Sequence, residues 1–429
     1  MKLRFLLPVV ASIALAGCGG GGEDGSTGGG EQGEAIKAML PANGNALATI
    51  EPGSAESADL EAFGKAVGDA RIVFVTEPAH GEASTLTLAT RLIKYLHQHK
   101  NFDVLLLESG MFDIARMKEM YEQRGMSYTQ SSAGRIFYMD SRTPEGRQIT
   151  TYVDQTQATA RPLRFAGLEM MMGGLASTSE GVARLEAYLT GKKSPTLQSV
   201  DWPQFKVLAQ RVAELPERTP APKDLGPFNR VSAVLDQELC TGADNVRYAI
   251  DSDGFWCRTV RNWVAASGYL WNKPGDVDYV PRDVAAAANI AWFLEGPFKD
   301  KKAVIFTAAF HGVDATPALV ARNTASELKQ RYPGQIHTAY ITVGGLNNDT
   351  SDKNTGALEY YLRAVGNQPR YLAYPSDSAA RALLSGLSVR EWGFTVTKPS
   401  NFGNGYQSLF YVPSGRMLLP DWAAYPPVY

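Results

Sequence analysis

Glu77 and His80 stand three residues apart in the stretch TEPAHGEAS, directly after the apolar run Ile72–Thr76. A histidine with a pKa near 6.5 can take a proton from water at neutral pH. A carboxylate that accepts from its other ring nitrogen fixes the tautomer and stabilises the imidazolium. An acid and an imidazole on one short turn therefore make a candidate water-activating pair, with His80 as general base and Glu77 as its partner. The pattern recurs along the chain. Glu108 follows the run Asp103–Leu107, Glu169 follows Leu163–Gly167, and His311 follows Ala303–Ala308. Glu108 and His311 are candidates to orient a substrate or the attacking water. Glu169 and Arg282 are candidates for substrate contact. Other roles are open to the same residues. Glu77 could cap the next helix, His80 could be a structural histidine satisfied by a carbonyl, and Glu169 could begin a core helix through LEMMM. His97 and His99 sit at a helix end, where cations suit the dipole, and read as surface residues. His337 precedes a strand and is given no role. Glu-x-x-His lacks the second histidine one turn on that a zinc-binding HExxH helix needs. Neither a metal nor another cofactor is expected.

These residues act together only if the strands before them are parallel neighbours. Short apolar runs alternate with helical stretches, the pattern of an α/β core. The expected strands are Ile72–Thr76, Asp103–Leu107, Leu163–Gly167, Ala303–Ala308 and Ile336–Val343. Leu409–Val412 is expected as an edge strand or a hairpin with Met417–Leu419. Between the first two strands, Leu88, Leu92, Ile93 and Leu96 fall on one helix face. Such a strand–helix–strand unit marks a parallel sheet. Sites in open parallel sheets gather at the carboxyl ends of the strands, where two of the five histidines and three acids lie. The expected fold is a mainly parallel sheet flanked by helices. Residues 173–295 read as a helical insert or lid, closed by a helix at RDVAAAANIAWFLEG.

The chain has 429 residues and a formal net charge of −2, so no strong field draws nucleic acid or acidic membranes. The expected partner is a small-molecule substrate; the sequence does not fix an oligomeric state. Lys2 and Arg4 precede an apolar run, Phe5–Ala16, that is too short to span a bilayer comfortably. Leu15-Ala16-Gly17-Cys18 resembles the lipobox of bacterial lipoproteins. That resemblance implies a signal peptide over 1–17, lipidation of Cys18, and anchoring in the cell envelope, at the outer membrane facing the periplasm. An ordinary secretory signal cut near Ala16 is the other reading. Residues 18–44 carry GGGGEDGSTGGGEQGE (Gly19–Glu34) directly after Cys18 and read as a flexible tether. The folded body is then 45–429. In an oxidising compartment Cys240 and Cys257 are candidates for a disulfide, against two unconnected buried thiols. Closing that loop is worth about 3 kcal/mol.

TEPAHGEASTLTLATRLIKYLHQHKNFDVLLLESGMFDIARM resembles the first block of the erythromycin esterase-like family, with Glu77, His80, Gly81 and Glu108 on its marked positions. PLRFAGLEM is similar to the next strand of that family. RDVAAAANIAWFL is similar to its Arg-Asp-x-x-Met-Ala-x-Asn helix through Arg282, Asp283, Ala287 and Asn289, and SLFYVPSGRMLLP to its closing segment. The resemblance implies ester or lactone hydrolysis with His80 activating water and no metal required. Thr76 stands where the family has glycine, and Glu82 and Ser84 also depart from its pattern. KKAVIFTAAFHGVDA is similar to its strand ending in His-Asn-x-His, but Ala308 and Ala309 replace the first two of those residues. The Glu–His pair is untouched by these departures. The core also resembles that of haem-iron-binding lipoproteins, which implies a haem or small-molecule binder as the alternative.

Overall fold

The computed structural model describes residues 30–170, 173–214, 221–242, 246–271, 279–314, 322–345, 353–390, 398–399 and 401–428. The signal, Cys18 and residues 19–29 of the tether lie outside the described residues.

An eight-stranded, mostly parallel sheet organises the chain. Its strands are β1 (Gly44–Ala46), β2 (Ile72–Glu77), β3 (Phe102–Gly110), β4 (Arg164–Glu169), β5 (Lys302–Ala308), β6 (Ile336–Val343), β7 (Arg370–Ala373) and β8 (Ser408–Val412). They lie in the order β1-β7-β8-β6-β2-β5-β3-β4. From β8 to β4 every pairing is parallel, and β7 and β1 add an antiparallel edge. β2 is buried along its whole length. This continuous apolar run is what a parallel strand covered on both faces requires.

One face is covered by the short helix Glu61–Val67 and by two longer helices. These are α2 (Ala83–Lys100) and α4 (Pro144–Gln157); Leu88, Leu92, Ile93 and Leu96 of α2 are buried as the spacing predicts. The other face takes α3 (Met111–Arg124) and a helical insertion between β4 and β5. The insertion comprises α5 (Leu175–Gly191), α6 (Trp202–Ala213), α7 (Gly226–Leu239), α8 (Asp253–Leu270) and α9 (Val280–Glu295). In α6, Trp202, Phe205, Leu208, Ala209 and Val212 form the buried stripe of an amphipathic helix. It meets Phe228, Trp256 and Trp263 in the same core as Phe74, Leu106 and Ala166 of the sheet. A Cys240–Cys257 disulfide ties α7 to α8. The insertion is also capped from outside. Asp113 of α3 accepts from the Ala176 and Ser177 N–H groups at 2.8 and 3.2 Å, satisfying the free donors of α5.

Three expectations need correction. Residues 31–43, assigned to the tether by composition, form helix α1 (Glu31–Asn43). Ile36, Met39 and Leu40 recur at helical spacing and are buried against Leu358 and Leu362, so the packed body begins well before residue 45. β8 is neither an edge strand nor part of a hairpin with Met417–Leu419. All five of its residues are buried, and it pairs with β6 on one side and β7 on the other. His97 is a core residue. The last turn of α2 lies under α4, where its ring bonds the Tyr152 hydroxyl at 2.7 Å and the Arg161 carbonyl at 3.0 Å. Burial lowers its pKa.

His337 lies inside β6, buried, with Nε2 2.8 Å from Ser408 Oγ. Burial pushes its pKa down to about 4. The unfolded chain therefore binds a proton below about 6.5 that the folded chain refuses. This residue's contribution is complete above that value and is lost as pH falls from 6.5 towards 4. The loss should reach about 3 kcal/mol. Denaturant melts of His337→Gln should lack that part of the acid-side slope, and an identical slope would contradict the assignment.

Candidate active site

The strand order explains why distant residues meet. β2, β5, β3 and β4 are consecutive neighbours, so their carboxyl ends present Glu77 with His80, then Thr307 to His311, then Glu108, then Glu169. Two glycines let the turns lie close. Gly81 has φ +93°, and a Cβ there would come 2.9 Å from Met139 Sδ. A Cβ on Gly312 would come 2.4 Å from Thr76 Cγ2, so only glycine lets the turn after His311 rest on β2.

Two carboxylate–imidazole pairs result. His80 Nδ1 lies 2.7 Å from Glu77 Oε1. His311 Nδ1 lies 2.8 Å from Asp283 Oδ1, which also accepts from the Thr324 N–H and hydroxyl at 2.9 and 2.6 Å. In each pair the carboxylate fixes the ring and leaves Nε2 facing the site. Both Nε2 atoms lie 3.6 Å from the same oxygen, Glu108 Oε1. That is beyond hydrogen-bond length, so Glu108 does not consume either nitrogen. Glu108 is itself held rigidly. Its Oε2 accepts from Thr307 Oγ1 at 2.6 Å and from the Ala308 N–H at 2.7 Å. The backbone at position 308 thus orients the acid whatever side chain stands there.

Glu169 and Arg282, the candidates for substrate contact, pair with each other. Arg282 Nε lies 3.0 Å from Glu169 Oε2, and its Nη2 lies 2.9 Å from Glu169 Oε1 and 2.7 Å from Glu108 Oε1. Arg282 still lines the cavity, but its guanidinium is committed to the two carboxylates. A divalent cation at Glu108 Oε1 would have to displace that guanidinium, so the donor set suits proton chemistry better than metal binding.

Burial alone would lower the pKa of His80. The Glu108 charge and the Glu77 hydrogen bond outweigh it and raise the imidazole well above its ordinary value. With 38% of the side chain exposed, solvent reaches the ring and blunts the burial effect. Burial raises Glu77, against the opposing pull of His80. Glu108 lies well below the carboxylate range, because the charges of His80, His311 and Arg282 overcome its burial.

A wall the sequence did not reveal closes the site. The Phe137 ring lies with its centroid 4.6 Å from that of His80, tilted by 42° to it. Asp140 is buried and is pushed up to about 8 by burial and by the charges of Glu77 and Glu108. No strand precedes RIFYMDS, so its sequence carried no signal of a site. Asp283 was legible as part of an Arg-Asp helix motif but not as the partner of His311. The cavity between the two imidazoles is about 240 Å³, lined by Pro78, His80, Tyr279, Arg282, Phe310 and His311 among others. Tyr279 and Phe310 meet edge to face at 4.9 Å and form its apolar side. Larger clefts lie elsewhere, one of about 440 Å³ beside Arg124 and Tyr425 and one of about 460 Å³ beside Tyr121 and Arg164, but histidines and acids do not converge in either.

The comparisons with known proteins fall on the fold. No protein-family model matches the chain, and no curated protein matches it. Solved structures do. A Bacillus cereus protein aligns with a TM-score of 0.72 at 16% identity over 90% of this chain and 99% of its own. A succinoglycan biosynthesis protein aligns at 0.69 and 15%, over 90% and 97%. A mutant of the erythromycin esterase EreC in its open conformation aligns at 0.61 and 15%, over 85% and 96%. At these identities the likeness is one of fold, shared along nearly the whole length of each.

Proposed function

We propose that this chain is a hydrolase that cleaves a carboxylic ester or lactone with water activated at His80. The observation that carries the reading is the pair of carboxylate-held imidazoles whose Nε2 atoms face one cavity across Glu108. The fold shared with an erythromycin esterase supports the same class of chemistry. Neutral His80, its Nδ1–H donated to Glu77, takes a proton from water at Nε2. The hydroxide attacks the carbonyl carbon, and the tetrahedral intermediate collapses with cleavage of the C–O bond. The proton on His80 passes to the leaving alkoxide, giving acid and alcohol. Glu108 and His311 hold the water and substrate in register, and Glu77 stabilises the imidazolium.

The test is a panel of generic esters and lactones with purified protein, followed by release of the acid. EDTA should leave turnover intact. Absence of turnover across the panel, with a ligand bound unchanged, would replace the hydrolase by a binding protein.

The lipobox resemblance and the Gly-rich stretch after it support a lipid anchor at Cys18, with the body in the periplasm at the outer membrane. Two or more acyl chains give stable attachment where one gives marginal attachment. Cys18→Ser should appear as soluble protein or as an unprocessed precursor. Unchanged membrane fractionation of that variant would remove the anchor from the proposal.

A further inference from the structure

The turn carrying His80 is suspended between two supports. One is β2, which fixes Glu77. The other is the segment Ser414–Leu418, which follows β8 and crosses directly over Gly81–Ser84. It is first secured to the end of β6, where Gly344 N donates to Val412 O at 2.8 Å and Gly415 N to Gly344 O at 3.0 Å. It then grips the turn from both sides. Leu418 N donates to Gly81 O at 2.8 Å and Ala83 N to Arg416 O at 2.9 Å. Ser84 Oγ donates to Ser414 O at 3.2 Å.

Glu82 is the centre of this grip and is fully buried. Its carboxylate accepts from Ser84 N at 2.9 Å, Thr85 N at 2.5 Å and Arg416 N at 2.8 Å. The first two bonds are an ordinary helix cap for α2. The third is not needed by a cap and ties the cap to the crossing segment. On the far side, Gly81 sits between Met139 and Met417, with no room for a Cβ against the former.

We propose that Glu82 and the segment Ser414–Leu418 form a clamp that positions His80 against Glu77, with Glu82 as a positioning residue that never meets substrate. The proposal rests on His80 acting as base. Only Gly81 separates His80 from Glu82, so a shift of the clamp is a shift of the imidazole. A misplacement of about 1 Å in catalytic geometry costs on the order of 10²-fold in rate.

Two substitutions in the full-length protein separate the clamp from the cap. Glu82→Asp keeps a good N-cap residue but shortens its reach to Arg416 N. Leu418→Pro removes the N–H that Gly81 accepts and leaves the cap alone. Each is read by thermal melting, by the His80 imidazole pKa from nitrogen-15 NMR titration, and by ester turnover. The His80 pKa should move down towards 6.5, and kcat should fall about 10-fold or more with KM within about twofold. A variant that melts like the parent yet keeps the parental His80 pKa and kcat overturns the clamp. If His80→Ala retains full turnover, the hydrolytic reading fails instead, and the NMR titration alone still decides whether the segment positions the ring.

Discussion

His80→Ala is expected to lower turnover of any ester this chain hydrolyses by about 10²-fold or more, the usual scale for loss of a general base. The variant should remain folded, because the side chain is partly exposed and its ring packs mainly on Phe137. Glu77→Gln should also impair turnover, since a neutral amide stabilises the imidazolium less and allows the wrong tautomer. The pH dependence supplies a second check with a definite sign. His80 must be neutral to accept a proton, and its surroundings raise its pKa well above the ordinary value. The acid limb of kcat/KM should therefore fall at a pH above 6.5, and activity should still be rising through neutrality. Full activity of purified His80→Ala would remove the residue from the mechanism. A limb at or below 6.5 would contradict the charge arrangement around it.

Glu108→Gln should have the second largest effect, on stability and pH profile together. Glu108 is the buried negative charge that His80, His311 and Arg282 all face. An amide of the same shape leaves Arg282 with Glu169 alone. Breaking one side of a buried ionic network costs about 3 kcal/mol, readable as a shift in denaturant midpoint. The Glu108 charge is also the largest influence raising the His80 pKa. Without it the acid limb should move to lower pH while overall stability falls. An unchanged limb in a variant of normal stability would show that Glu108 does not control the base.

Much of this arrangement was legible in the sequence because Glu77, His80, Glu108, Glu169 and His311 each follow an apolar run. The runs at Ile72, Asp103, Leu163, Ala303 and Ile336 all fall on parallel strands, and their carboxyl ends converge as that pattern implies. The order of the strands was not legible, since a local pattern does not name its neighbour. That order sets β5 between β2 and β3, which brings Glu108 within reach of both His80 and His311. Side-chain pairing was equally hidden. Nothing local to Glu169 or Arg282 says that they satisfy each other. α1 escaped because Ile36, Met39 and Leu40 are few against their Gly- and Glu-rich surroundings. β8 was misplaced because the apolar run Leu409–Val412 fits an edge or an interior strand equally well until its partners are known.

The interior place of β8 has a consequence for how the chain is made. Synthesis delivers β8 after every other strand of the sheet, yet it lies between β6 and β7. While the ribosome is still working, β1 and β7 have no strand pairing with the parallel block, and β6 presents an open row of unpaired amides and carbonyls. Such an unfinished edge invites pairing with another nascent chain. A premature stop before Ser408 would leave that edge open permanently, so truncated products are expected to aggregate rather than persist as smaller working proteins. A holding chaperone would be needed most in the interval before the last strand is released.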